Sequence, residues 1–431
     1  MVLALLACAD PPAVEPATPP PPPPTQPDIV LVLLDGLRAD LPGEEFDHAL
    51  TAKIGASPAF SAKSACVQSV HPYLSLGSIL TGRYPSAIPL CSLPTPETDP
   101  ESLWCTRIPD AVPTLPEVLG IYGYDTALVA APPTSREKGL LASEFGDAPG
   151  VNGGLSEAVD TALSWWKAHA GALRFLVLTE EILPLVAPRV GPPGSAAPEV
   201  LAEQAHTAYG NVVAEAGVQV GRLVAETGPG TWVFVTSGHG ANLGETTGTA
   251  SLPVYAVHRD VLLERTLIVP LHVYGPSAPA ALPAVTPLVD LAPTIAHLAG
   301  VLPPAGLAGN DLFADPPADP ACYAEFGDML ALRTERHLLV ARLWMHGGTA
   351  LDPQLTEKLR MRPDPGSSFP LHDVLADPLQ VHDIVQSDTT VAGSTWRRML
   401  EIRTGPGAPP NGGLSPDQVA ALRKAGSIGY W

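Results

Sequence analysis

The sequence predicts an α/β fold, a central mostly parallel sheet flanked by helices, with a smaller C-terminal α+β subdomain after it. Ile29 to Leu34 is an unbroken apolar run, rich in branched side chains and closed by Asp35-Gly36. So short a run reads as a strand buried on both faces, as in a parallel sheet covered by helices. From Asp28 onward, short apolar runs alternate with amphipathic segments, the pattern of βαβ units. After Phe313 the composition changes, and Asp315 to Pro320 reads as a linker into a second unit.

In chain order, Thr114 to Leu119 opens a helix ending at Gly123, and Asp125 to Ala130 is the next strand. Leu155 to Ala168 is helical; its adjacent Trp165 and Trp166 predict that at most one faces the core squarely. Arg174 to Thr179 is another buried strand, and Val200 to Glu226 a long amphipathic helix or a broken pair. Thr231 to Thr236 is a strand running into Ser237-Gly-His-Gly240. Leu267 to Tyr274 is a further strand and Val289 to Ala299 a helix. Past the linker, a hairpin-like pair surrounds Arg333 to Val340, and Leu414 to Lys424 reads as helical, with Ser415-Pro416 as cap and first turn.

Composition narrows the function classes. The 431 residues are 45% apolar and carry a formal net charge of −20, from 44 acidic and 24 basic side chains. No basic stripe is available to neutralise phosphates, which argues against a nucleic-acid partner. A polyanionic substrate is repelled at long range unless a metal or a local basic cluster intervenes. The cysteines are Cys8, Cys66, Cys91, Cys105 and Cys322, and none has the paired close spacing of a zinc site. The last four allow three disulfide connectivities in an oxidising compartment. Cys91 and Cys105, flanking one short Pro-rich loop, are the preferred pair.

The N-terminus sets a location. Leu5-Leu-Ala-Cys8 resembles a bacterial lipoprotein cleavage box, in which the cysteine is lipidated. The segment is too short to span a bilayer and lacks a basic n-region. Ala9 to Gln26 is Pro-rich, with an unbroken run from Pro19 to Pro24 that suits a semi-rigid spacer. The expected layout is a signal and lipobox at 1–8, a linker at 9–27, the α/β domain at 28–314 and the C-terminal subdomain at 320–431. Membrane contact is expected by lipid anchor on Cys8 alone, which places the chain in a cell envelope, periplasmic or surface-exposed. The sequence names no substrate or protein partner.

Beyond the linker the chain resembles the sulfatases, a branch of the alkaline-phosphatase superfamily. The resemblance runs from Asp28 to Asp40 through Leu76-Gly-Ser-Ile-Leu-Thr-Gly-Arg-Tyr-Pro85, Thr114 to Leu119 and Gly123 to Ala127. It continues through Phe234 to Gly240, Val269 to Pro276, Asp290 to Gly300, Leu371 to Pro378 and the closing Gly429-Tyr430. It implies one or two divalent metals, such as calcium or zinc, held by carboxylates at strand ends, and a nucleophile at a helix start that favours the anionic ester.

By that resemblance Asp35 matches the first metal carboxylate. Counting back from the helix end at Thr81-Gly82 puts the nucleophile at position 72, which is Pro72 and has neither hydroxyl nor thiol. His239 survives at the second metal cluster, but Gly238 stands where a carboxylate is expected. Thr246, following Gly244-Glu245, replaces a histidine.

Ser69 and His71, just before Pro72, are substitute catalytic candidates, although a surface turn is the simpler reading of both. Glu180 and Glu181 are paired carboxylates at a strand end, of which at most one faces the site. His258, Arg259 and Asp260 are a charged loop near the later active-site region. Two readings follow. One is a catalytically degenerate envelope lipoprotein that uses the fold for binding or structure, with no tightly bound metal. The other is a metal-dependent sulfuric- or phosphoric-ester hydrolase with a rearranged nucleophile.

Overall fold

The computed structural model describes residues 26–41, 43–55, 57–88, 90–92, 104–132, 138–190, 195–243, 245, 262–279, 281–326, 329–342 and 370–404. Cys8, residues 9–25, Thr246, His258, Arg259, Asp260 and the helix expected at Leu414 to Lys424 lie outside the described residues.

The strands run β1 (Ile29–Asp35), β2 (Phe60–Cys66), β3 (Cys91–Ser92), β4 (Trp104–Cys105), β5 (Tyr124–Ala130), β6 (Leu173–Glu181), β7 (Trp232–Thr236), β8 (Ile268–Tyr274) and β9 (Thr286–Pro287). A seven-stranded sheet takes the order β5-β6-β1-β7-β8-β2-β9. Its left half, β5-β6-β1-β7, is parallel throughout, while β8 runs antiparallel to both β7 and β2. Every residue of β1 is buried, as its uninterrupted apolar run predicts for a central strand.

Alternate residues of β1 feed two cores. Ile29, Leu31 and Leu33 pack with α2 (Pro72–Thr81), α3 (Leu115–Ile121) and α8 (Leu291–Ala299). Val30, Val32 and Leu34 pack with α1 (Gly43–Ile54), α4 (Leu155–Ala168) and α6 (Pro198–Thr227). The segment read as a long helix or a broken pair is one 30-residue helix, α6. The helix expected to open at Thr114 starts with a capping box: the Glu117 amide donates to Thr114 Oγ1, and the Thr114 amide to Glu117 Oε2.

The expectation for the adjacent tryptophans is corrected. Trp165 and Trp166 are 7% and 3% exposed and lie in the same core. Trp165 donates its indole N–H to Asp147 at 2.7 Å. Trp166 is roofed by the Arg174 guanidinium, 4.0 Å from its ring centre. Neighbouring structure therefore covers both helix faces.

The C-terminal subdomain is an antiparallel sheet of β10 (Cys322–Phe326), β11 (Met329–Arg333), β12 (His337–Arg342) and β13 (Leu371–Asp373). It is backed by a last helix, α9 (Thr389–Thr404), through Trp396, Met399 and Leu400. The Arg333 to Val340 hairpin is as expected, with Arg333 opposite Leu338. A disulfide between Cys66 and Cys322 ties this sheet to the large one across 256 residues of sequence. Cys91 and Cys105, the preferred pair, stand opposite each other on the β3–β4 ladder. Among the described residues no helix is long and apolar enough to cross a membrane.

Candidate functional site

The carboxyl edge of β1 and β7 brings the two expected ligand residues together. Asp35 ends β1 and is buried, and its Oδ1 accepts the Gly238 amide at 2.7 Å. The Gly36 amide in turn donates to the His239 carbonyl at 2.9 Å. Gly36 has φ 94°, and a Cβ there would lie 2.6 Å from Leu183. Glycine is thus required both by conformation and by space. His239 is fully buried, and its Nδ1 donates to the Gly240 carbonyl at 2.7 Å.

The substitute nucleophiles sit differently from the sequence expectation. Ser69 and His71 are not on a surface turn; both are buried, at 0% and 2% exposure. The C-terminal sheet covers them: the Glu325 amide bonds the Gln68 carbonyl at 2.9 Å, and the His71 ring stacks on Phe326. Pro72 is the first residue of α2. Ser75, one turn in, donates from Oγ to the Ser69 carbonyl at 2.6 Å. The sequence reading did not single out Ser75; its only signal is its place in the first turn after Pro72.

The paired glutamates divide as alternation requires. Glu181 pairs in register with Asp35 and shares its face of the sheet, while Glu180 pairs with Leu34 and faces α4 and α6. Glu180 borders a cavity of about 320 Å³ with Leu155, Ile182 and Val212, on the face away from Asp35.

Among the described residues, this edge offers no complete donor set for a divalent metal. Asp35 Oδ1 is engaged by an amide and His239 Nδ1 by a carbonyl. A Cβ on Gly238 would lie 2.5 Å from Asp35 Oδ1, so the Asp35 carboxylate itself occupies the space where a side chain at 238 would project. Among the described residues, no three His, Cys, Asp or Glu side chains converge as a metal group.

Beside this edge lies a charged cluster that the sequence did not assemble. Arg38, 4% exposed at its side chain, holds Asp40 with Nε and Nη2 at 2.8 and 2.6 Å and bonds Glu245 through Nη1. Glu245 also accepts the Leu243 amide at 2.8 Å. His206 Nε2 lies 3.3 Å from it, and Arg265 Nη1 3.6 Å. Tyr209 accepts the Arg38 amide at 2.7 Å and donates to the Gly36 carbonyl at 2.9 Å, linking the cluster to the end of β1. Burial alone would raise the carboxyls of Asp40 and Glu245, but the Arg38 guanidinium outweighs it and holds both below the usual carboxylate range.

No protein-family model matches the chain, and no curated protein matches it in sequence. Solved structures do match in fold. A 2-O GAG sulfatase is similar at TM-score 0.62 and 15% identity, covering 89% of this chain and 93% of that one. A phosphonate monoester hydrolase from Silicibacter pomeroyi is similar at TM-score 0.61 and 16% identity, covering 88% and 96%. A protein solved in complex with its substrate D-glucosamine-2-N,6-O-disulfate is similar at TM-score 0.59 and 12% identity, covering 89% and 99%. The chain has the sulfatase-like alkaline-phosphatase fold.

Proposed function

We propose that this chain is a catalytically degenerate member of the sulfatase-like fold, held at a cell envelope and using the cleft for binding or structure. The observation that carries this reading is Pro72 at the first position of α2, where the fold's nucleophile would stand. A proline there offers no attacking atom. The edge around Asp35 supports the same reading, because Asp35 Oδ1 and His239 Nδ1 are both engaged by backbone. The test is turnover of p-nitrophenyl sulfate and p-nitrophenyl phosphate with calcium, zinc or manganese, alongside calorimetric titration of each metal into stripped protein. The expected result is no turnover and no micromolar binding. Turnover or tight binding that disappears in Asp35→Ala would establish the hydrolase reading in its place.

The envelope location is supported by the lipobox-like Leu5 to Cys8 and by the Cys66–Cys322 disulfide, a bond that persists in oxidising compartments. Mass spectrometry of the Cys8 peptide from native membranes should show an acyl modification; an unmodified thiol would remove the anchor from the proposal.

A further inference from the structure

The cavity beside Glu180 belongs to a different part of the molecule from the edge around Asp35. The sheet separates them: α2, with Pro72 at its start, packs on one face, and α4 and α6 pack on the other. The cavity lies on the second face, between the first turn of α4, the middle of α6 and the end of β6. Its volume of about 320 Å³ is at the small end of the range for ligand sites. Gly154 and Ser156 on α4 and Glu215 on α6 are exposed, so its mouth opens to solvent.

The wall is apolar, from Leu155, Ile182, Leu185, Val212 and Ala216, and the groups set into it are acceptors. Glu180 is 0% exposed. Gln219 Oε1 is buried and accepts no hydrogen bond among the described residues. Among those residues no Lys, Arg, His or aromatic ring lines the cavity. The arginines that touch its rim are engaged elsewhere, Arg189 with Glu215 at 3.1 Å and Arg222 with Asp160 at 2.9 Å. An anionic ligand would therefore meet two carboxylates and no lining counter-charge. A purely apolar one would leave Gln219 Oε1 unbonded. A primary ammonium brings a positive charge and three N–H donors, which suit a carboxylate and a carboxamide oxygen. A quaternary ammonium has no N–H to give and favours aromatic faces, which this wall lacks. The net charge of −20 draws cations toward the chain at long range.

We propose that the cavity between α4, α6 and β6 binds a small primary amine in its protonated form. The ammonium group sits between Glu180 and Gln219 Oε1, and the apolar body lies against Leu155, Ile182 and Val212. Binding here makes no use of the Asp35 edge, and ester turnover there leaves it unaffected.

The test is calorimetric titration of hexylammonium chloride into the full chain at constant ionic strength, beside methylammonium chloride, hexanol and sodium hexanoate. Hexylammonium should bind about tenfold or more tightly than each of the others, because it alone offers both the charge and the apolar body. Glu180→Gln, which keeps the shape without the charge, should weaken hexylammonium about tenfold. Gln219→Leu, at a half-buried position of α6, should weaken it about threefold, and it decides the matter should the Glu180 variant lose its far-UV circular dichroism. Ala216→Leu, which fills the cavity, should abolish binding. No binding of hexylammonium, an affinity equal to that of methylammonium, an affinity unchanged in both Glu180→Gln and Gln219→Leu, or binding that survives Ala216→Leu would overturn the proposal.

Discussion

At the end of β1, every contact has a backbone partner: Asp35 Oδ1 takes the Gly238 amide, His239 Nδ1 meets the Gly240 carbonyl, and the Gly36 amide meets the His239 carbonyl. A few residues on, contacts run from side chain to side chain, with Arg38 holding Asp40 and Glu245, and with Arg265 and His206 close to the same carboxylate. Both patches lie at the carboxyl end of the sheet, where α/β folds place their ligands. In the first, the main chain engages Asp35 Oδ1 and His239 Nδ1. The second keeps its charges and exchanges them among themselves. Two patches at one sheet edge thus differ in what engages their polar atoms, the main chain in one and neighbouring side chains in the other.

Glu245→Ala should sharpen this contrast most. Removing one partner from a largely buried ion cluster leaves Arg265 without its counter-ion, and the expected loss is about 3 kcal/mol in urea unfolding. At the Asp35 patch, Gly238→Asp puts back the missing carboxylate where a Cβ meets Asp35 Oδ1 at 2.5 Å. Overpacking beside a like charge should destabilise by about 2 kcal/mol without conferring micromolar metal binding. Asp35→Asn keeps the acceptor for Gly238 and should cost less than about 1 kcal/mol by the same measurement. A larger loss in Asp35→Asn than in Glu245→Ala would break the comparison.

The sheet was legible because its strands are local apolar runs, and β1 and β7 each appear whole in the sequence. The meeting of Asp35 with His239 was legible because both end strands of one parallel sheet. The burial of Ser69 and His71 was not, since the elements that cover them, β10 and the residues around Phe326, come some 250 residues later. The charged cluster was hidden for the same reason. Arg38 and Glu245 stand 207 residues apart, with no shared periodicity to connect them. The two tryptophans failed differently: alternation describes one helix, and Arg174 of a neighbouring strand supplies the cover for the second ring.

The bond between Cys66 and Cys322 has a topological consequence. It closes a ring from the end of β2 to the start of β10, which holds α2, α3, α4, α6 and α8 and most strands of the large sheet. A single backbone cut anywhere from Val67 to Ala321 therefore releases no fragment. The two pieces stay covalently joined, one carrying β1 and the other the C-terminal sheet, and part only when the disulfide is reduced. A nicked molecule persists as a two-chain protein held by that bond.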